Sequence, residues 1–439
     1  VLKYLFYVVF LIYMGVGENM FYVVTIFFGL VFLMMMFFSG ELNFWFEIGN
    51  MFGVDKVSLL LIMLSVVIFY FVFLVGFEYN IYLLGYNFVL IIMVFFLMVL
   101  FSIMNLFVFY LVFETSLIPI SLLVMGWGMQ GERLSASIYL MMYMLVSSLP
   151  MMVVLMFLSN NLFYMSMMFI GSINSFVVYF LVVLMFAVKF PLFILHLWLP
   201  SAHVEAPVVG SMILAGILLK LGGYGLYRFM KLVIDVSVKF NILVIIISLV
   251  GMILVSLNCL CQVDMKSLIA YSSVVHMCMS LLGILSLSGW GVNGLIVLMV
   301  SHGLCSSGLF YLVGVIYNRF MSRSLFLNKG LMICMPAMGL GWFMLSTSNL
   351  SAPPSLNLLG ELMVLGGLMM WSMISLLMLI FIMFFSAFYS LYLFSYLHHG
   401  DLYSGGISGF VSSGLLKEYL IVYYHWFPLN FLFLMGDYF

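Results

Sequence analysis

Glu114, Lys189, Lys220 and Glu361 stand inside long apolar runs of a chain whose 439 residues are 67% hydrophobic and only 6% charged. A charged side chain at a bilayer centre costs roughly 2.5–3.5 kcal/mol on insertion scales, and more on an isolated helix. Two acids and two bases held at that cost point to groups that move or neutralise charge. Three histidines extend the set: His196, seven residues after Lys189 and on nearly the same face if the helix continues, His276 in AYSSVVHM and His302 in LMVSHGLCSS. Imidazole titrates near pH 6.5, so it relays protons at physiological pH. The chemistry these types share is proton transfer.

Each residue also has a plainer reading. Glu114 and the lysines could be structural ion-pair partners, and a lone histidine on an apolar helix is often a satisfied core residue. Lys220, in GSMILAGILLKLGGYGLYR, could snorkel to an interface, although mostly apolar residues surround it before Arg228. The glycines around it, Gly216, Gly222, Gly223 and Gly225, allow close helix approach or a water-filled gap. A lysine's affinity for its proton depends on its burial and its nearest carboxylate, so a moving partner lets it release and regain one. His203 and Glu205 fit a loop or a helix cap, and His398, His399 and His425 fit interface or loop positions.

The elements that position these groups follow from apolar runs of about 20 residues, the length of a membrane-spanning helix. Fourteen helices are expected, over 1–16, 20–38, 57–77, 86–103, 105–128, 135–158, 174–200, 205–230, 240–260, 266–287, 292–318, 331–372, 373–397 and 415–435. The 331–372 stretch is too long for one span and contains Pro353-Pro354, so it reads as a broken helix. A second break is expected in FAVKFPLFILHLWLPSAH, which carries Pro191 and Pro200. Proline removes a backbone donor and clashes with the preceding turn. The carbonyls so freed at membrane depth persist only inside protein or beside a wet cavity. Transporters place their sites at such discontinuous helices, often in inverted repeats. Lys189 lies just before its break and Glu361 just after its own.

The spans group as N-terminal helices (1–85), a first repeat (86–230), a second repeat (240–397) and a C-terminal loop and helix (398–439). The fold class expected is an all-α polytopic membrane protein. A mean hydropathy of +1.34 excludes a soluble core of this length, which needs far more charged surface. Continuous apolar runs exclude an alternating β-barrel, and a net charge of −1 gives no case for nucleic acid. The five cysteines lack metal-ligand spacing and read as small buried hydrophobes, and HExxH is absent. No cleavable signal follows the opening VLKYLFYVVFLIYM, and the initial Val with 41 methionines suits a mitochondrial gene.

VKFPLFILHLWLPSAHVEAPVVGSMILAGILLKLGGYGLYR (188–228), QVDMKSLIAYSSVVHM (262–277), SHGLCSSGLF (301–310) and APPSLNLLGEL (352–362) closely resemble the antiporter-like membrane subunits of NADH:ubiquinone oxidoreductase, respiratory complex I. The likeness weakens in the first hundred residues and in the tail. It implies fourteen helices in two inverted five-helix repeats, with helices 7 and 12 broken. It implies a Glu114–Lys189 pair, and matches Lys220, His276, His302 and Glu361 to the family's proton-transfer residues, with His196 as a further relay. The implied role is a proton-translocating membrane-arm subunit of the inner mitochondrial membrane. A pulse that separates Glu114 from Lys189 would send a proton past Lys220, His276 and His302 toward Glu361. No cofactor is implied in this chain: NADH, FMN, iron–sulfur clusters and ubiquinone would be handled elsewhere in the complex. Partners would be the other membrane-arm subunits, above all neighbouring antiporter-like ones, with lipids such as cardiolipin. The readings that compete are a cation/proton antiporter subunit, a structural scaffold and a quinone-binding redox subunit, the last disfavoured by the lack of any haem, flavin or iron–sulfur motif.

Overall fold

In lipid a backbone satisfies its polar groups internally, so apolar runs of this length fold as helices. The computed structural model describes Gly29 and residues 51–76, 83–161, 166–167, 171–401 and 414–438. The helices expected over 1–16 and 20–38 lie outside the described residues, Gly29 apart. Among the described residues eight helices are long and apolar enough to cross a membrane, and no strand exceeds an isolated bridge. An all-α polytopic architecture is what the composition required.

The chain divides into two compact units, Val1–Lys189 with Glu205–Ser237, and Phe190–Val204 with Val238–Phe439. The first unit contains α1 (Lys56–Val75), α2 (Leu83–Ser102), α3 (Leu106–Thr115), α4 (Leu117–Trp127), α5 (Arg133–Asn161) and α6 (Phe176–Lys189). A π turn (Leu214–Leu218) then links α8 (Val208–Ile213) to α9 (Leu219–Phe229). Asp55 caps α1 by accepting from Ser58 N at 3.0 Å, and Asn105 caps α3 by accepting from Phe107 N at 2.9 Å. The span expected over 105–128 is present as Leu106–Trp127, with a one-residue irregularity at Ser116 between α3 and α4, where the hydroxyl donates back to the Phe113 carbonyl. Glu114, next to last in α3, therefore lies near the middle of that span, as its place in the apolar run led one to expect.

Two of the glycines near Lys220 serve close approach. A Cβ on Gly216 would meet Ile68 Cδ1 at 2.5 Å, and one on Gly225 would run into the Phe186 ring. Arg228, which ends this helix, pairs with Asp55 at 2.5 Å. Burial by itself raises the Asp55 carboxyl pKa, but the Arg228 charge and the hydrogen bonds from Arg228 and Ser58 outweigh it and hold the group below its ordinary value. The pair's stabilisation is complete above about pH 4 and is lost only as pH falls through the lower folded value. Arg228→Ala is expected to cost about 3 kcal/mol, as when one member of a buried pair is left alone. A lower thermal midpoint for the assembled protein, or failed assembly, would be the readout.

The second unit contains most of α7 (Trp198–Glu205) and of α10 (Ile234–Leu260), and all of α11 (Met265–Leu285) and α12 (Gly289–Phe320). It continues with α13 (Leu331–Cys334), α14 (Pro336–Asn349), α15 (Leu356–Trp371), α16 (Ser375–His398) and α17 (Leu416–Phe431). Ser288 caps α12, which α11, α14, α15 and α17 surround along its buried length. Arg319 near the α12 C-terminus pairs with Glu418 of α17 at 2.5 Å. His398 and His425, expected at an interface or in loops, are buried at 2% and 0% exposure. His398 ends α16 and His425 lies within α17, and packing covers both, which a polar side chain read by hydropathy alone does not reveal. His399 is exposed, as expected.

Both proline breaks are present. The α6 helix stops at Lys189, and residues 190–197 form turns that include Ile194 at φ 82°, a left-handed conformation rare for a β-branched residue. Pro200 does not break a helix. It lies in the first turn of α7, where a missing N–H removes no bond. The second break runs between the end of α14 at Asn349 and the start of α15 at Leu356, with Ser351 at φ 62°.

Candidate functional site

In the first unit the end of α6 carries Lys189 into a shell of packed aromatic rings and leaves it 3% exposed. Its ammonium donates to the Phe113 carbonyl at 3.3 Å and lies 2.8 Å from the centroid of the Phe113 ring. A cation over an aromatic face is stabilised by the ring quadrupole, most strongly where water is excluded. Glu114 follows Phe113 directly, yet neither of its buried carboxylate oxygens is hydrogen-bonded to Lys189. Ser148 of α5 faces both Glu114 and Tyr110. The lysine thus binds the backbone and ring beside the acid, and no direct hydrogen bond joins Glu114 to Lys189.

Lys220 is fully buried, and its ammonium donates to the Ala215 carbonyl at 2.5 Å. The π turn at Leu214–Leu218 presents that carbonyl, since widening the helix by one residue leaves its hydrogen-bond ladder out of register. Such turns mark functional positions in many helices. Snorkelling is excluded by the 0% exposure.

In the second unit Glu361 sits in α15, two turns past the break, at 2% exposure. One of its oxygens lies 3.4 Å from His276 Nδ1 of α11, and the other has no hydrogen-bond partner. The ring of His302, from α12, is 5.6 Å from that of His276 at an interplanar angle of 42°. Three helices therefore bring an acid and two imidazoles, all groups able to exchange protons, into one buried cluster. Tyr389 of α16 adds a hydroxyl 3.4 Å from His276 Nε2.

His196 is placed differently from expectation. The shared helical face with Lys189 required a continuous helix, and the helix ends at Lys189 because Pro191 cannot continue it. The His196 ring instead stacks on Phe193 at 5.6 Å and meets Tyr271 edge-on at 6.2 Å. His203 lies in α7, within a helix and not a loop, stacked on Phe310 at 4.6 Å.

Side chains that no motif revealed bond to carbonyls at and near the breaks. Cys278 donates to the Pro191 carbonyl at 3.3 Å, and Cys305 to the Leu345 carbonyl at 3.4 Å. Asn357 donates to the Ser348 carbonyl at 2.6 Å. Buried cysteines read as small hydrophobes in sequence, but these two also serve as donors. The only cue was that both stand near histidines of the site, at spacings that also suit simple packing. No group of three or more side chains able to hold a metal occurs among the described residues.

Residues 103–387 match the family described as NADH:quinone oxidoreductase/Mrp antiporter, TM. The chain is 46% identical to NADH-ubiquinone oxidoreductase chain 4 of Locusta migratoria over 100% of this chain and 99% of that one. The chain 4 proteins of Aedes aegypti (46% identical, covering 100% and 99%) and Ceratitis capitata (51%, covering 76% and 75%) are similar to it as well. Its fold is similar to a chain of respiratory complex I from Thermus thermophilus with bound NADH, at TM-score 0.86 and 23% identity over 98% of this chain and 96% of that one. It is also similar to a chain of the Mrp complex from Dietzia sp. DQ12-45-1b, at TM-score 0.87 and 15% identity over 99% and 93%. At these identities the two structural likenesses are likenesses of fold.

Proposed function

Because the chain belongs to the NADH-ubiquinone oxidoreductase chain 4 family, within the NADH:quinone oxidoreductase/Mrp antiporter membrane proteins, we propose that its buried charges translocate protons in the membrane arm of respiratory complex I. The observation that carries the proposal is Lys189, a buried ammonium held by the Phe113 carbonyl and ring, with the Glu114 carboxyl group close enough to interact with its charge but not hydrogen-bonded to it. Unpaired buried charges are costly. Moving one proton from Lys189 to Glu114 neutralises both, and closing the ion pair restores both.

Closing such a pair to about 4 Å gains roughly 4 kcal/mol at an effective dielectric constant near 20. One charge crossing 100 mV costs about 2.3 kcal/mol. A change in the Glu114–Lys189 separation is therefore of the right size to drive a proton against a membrane potential. In this reading Lys220 receives and returns the proton within the first unit, held meanwhile by the Ala215 carbonyl. His276, His302 and Glu361 form the corresponding group of the second unit, and Glu361, next to the second break, is the group that exchanges with solvent. His196 is left as a relay of lesser weight, since its ring is held by aromatic stacking.

Redox chemistry is assigned to other subunits: NADH, FMN, the iron–sulfur clusters and ubiquinone act elsewhere, and their energy reaches this chain as movement or field. The subunit works in the inner mitochondrial membrane against neighbouring antiporter-like subunits, with cardiolipin among its lipids. The repeats fall at 86–230 and 240–397, after N-terminal helices (1–85) and before a C-terminal segment (398–439).

The test is the charge-neutral double substitution Glu114→Gln with Lys189→Met in the assembled complex, reconstituted in vesicles. A scaffold in which the charges only join helices keeps pumping when both are removed together. The proposed role predicts its loss. The family description, which names antiporters beside NADH:quinone oxidoreductase, supports a second reading, exchange of a metal cation for protons. Proton uptake that depends on sodium or potassium would establish that reading in place of the first.

A further inference from the structure

Tyr389 lies in FFSAFYSLYLF, an apolar stretch with nothing to mark it, and its side chain is completely buried. Its hydroxyl is 3.4 Å from His276 Nε2, while His276 Nδ1 is 3.4 Å from a Glu361 oxygen. The imidazole is thus held between a phenol on one nitrogen and a carboxyl group on the other. His302, from α12, faces the same ring at 5.6 Å. Each of α12, α15 and α16 thus brings a titratable group to His276, and Cys305 of α12 adds a thiol near Tyr389.

Which ring nitrogen carries the proton is set by the hydrogen bond that the other makes. A phenol accepts as well as donates. When Tyr389 accepts from Nε2–H, the Nδ1 lone pair is the free one, and it points at Glu361. Glu361 can then pass its proton directly: the carboxyl O–H bond breaks, the Nδ1–H bond forms, and a carboxylate faces an imidazolium whose Nε2–H still donates to Tyr389. The reverse step returns the proton without rotation of the ring. With the other tautomer Nδ1 already bears hydrogen and cannot accept.

We propose that Tyr389 is a positioning residue for proton transfer between Glu361 and His276, holding the imidazole in the tautomer whose Nδ1 accepts. The proposal rests on the assignment of His276 and Glu361 to proton transfer.

The experiment uses the assembled complex in proteoliposomes, with the initial rate of proton translocation read from a pH-sensitive dye. Tyr389→Phe keeps the packing and removes the hydroxyl. Its rate is expected to fall about tenfold, the size of one buried hydrogen bond. Tyr389→Gln, whose amide carbonyl can accept from Nε2–H, is expected to recover most of the rate. In a His276→Gln background Tyr389→Phe should cause no further loss, whereas a purely packing role adds its effect in either background. A wild-type rate for Tyr389→Phe, additivity with His276→Gln, or a Gln variant no better than Phe would each overturn the proposal. Should Tyr389→Phe not assemble, the comparison is Tyr389→Gln against Tyr389→Leu, and equal rates overturn it. Glu361→Gln separates the two levels. If that variant pumps normally, the underlying site assignment fails; if it is inactive while Tyr389→Phe is silent, the role of Tyr389 alone fails.

Discussion

Lys189→Ala is expected to reduce proton translocation by the assembled complex about a hundredfold or more, the usual cost of deleting a positioned proton-transfer group. The side chain is 3% exposed, and its ammonium has the Phe113 carbonyl as acceptor. Alanine leaves Glu114 without the group that takes up and returns its proton. The decisive companion is Lys189→Arg. A guanidinium keeps the positive charge and can still lie over the Phe113 ring, but it does not deprotonate in a protein. If the charge served only to hold helices together, arginine would restore function; if the proton itself moves, arginine fails with alanine. Dye-detected acidification per NADH oxidised, normalised to assembled complex on a native gel, reads both variants. Normal coupling in Lys189→Ala would remove the mechanism.

A loss of similar size is expected for Glu361→Gln. The amide matches the carboxyl group in shape and cannot ionise, so α15 should pack as before against α12 and α11. His276 Nδ1 keeps a polar neighbour at 3.4 Å but loses the acid that exchanges a proton with it. Glu361→Asp draws the carboxylate back by one carbon–carbon bond, about 1.5 Å. It should fall between wild type and glutamine. The graded series separates position from ionisation: equal activity in all three would show that proton exchange at Glu361 plays no part in pumping.

Much of this was legible in the residues themselves. Charge at positions 114, 189, 220 and 361 is conspicuous because the apolar runs around it set a transfer cost for each one, and that cost depends on composition alone. The two helix breaks were legible because proline's missing donor and fixed ring act within one turn of their own position. The resemblance placed His276 and His302 with Glu361, and the packing of α11, α12 and α15 brings them together. The alignment of His196 with Lys189 held only for a continuous helix, which Pro191 ends, and the same local rules misjudged His425, which is wholly buried. Nothing in the run SIMNLFVFYLVFETSLIPI signals the one-residue irregularity at Ser116, two positions after Glu114.

By itself, then, the sequence determined the class of the protein, the sites of its breaks and the identity of its buried charges, because each follows from the chemistry of residues close together in the chain. Only the tertiary structure decided what each charge touches. Lys189 reaches the Phe113 carbonyl across 76 positions, and Tyr389 reaches His276 across 113. Cys278 meets the carbonyl of Pro191 across 87. A tyrosine or cysteine in an apolar run has the same local signature whether it fills space or directs a proton. The difference lies in the partner, and partners far apart in sequence are chosen by packing.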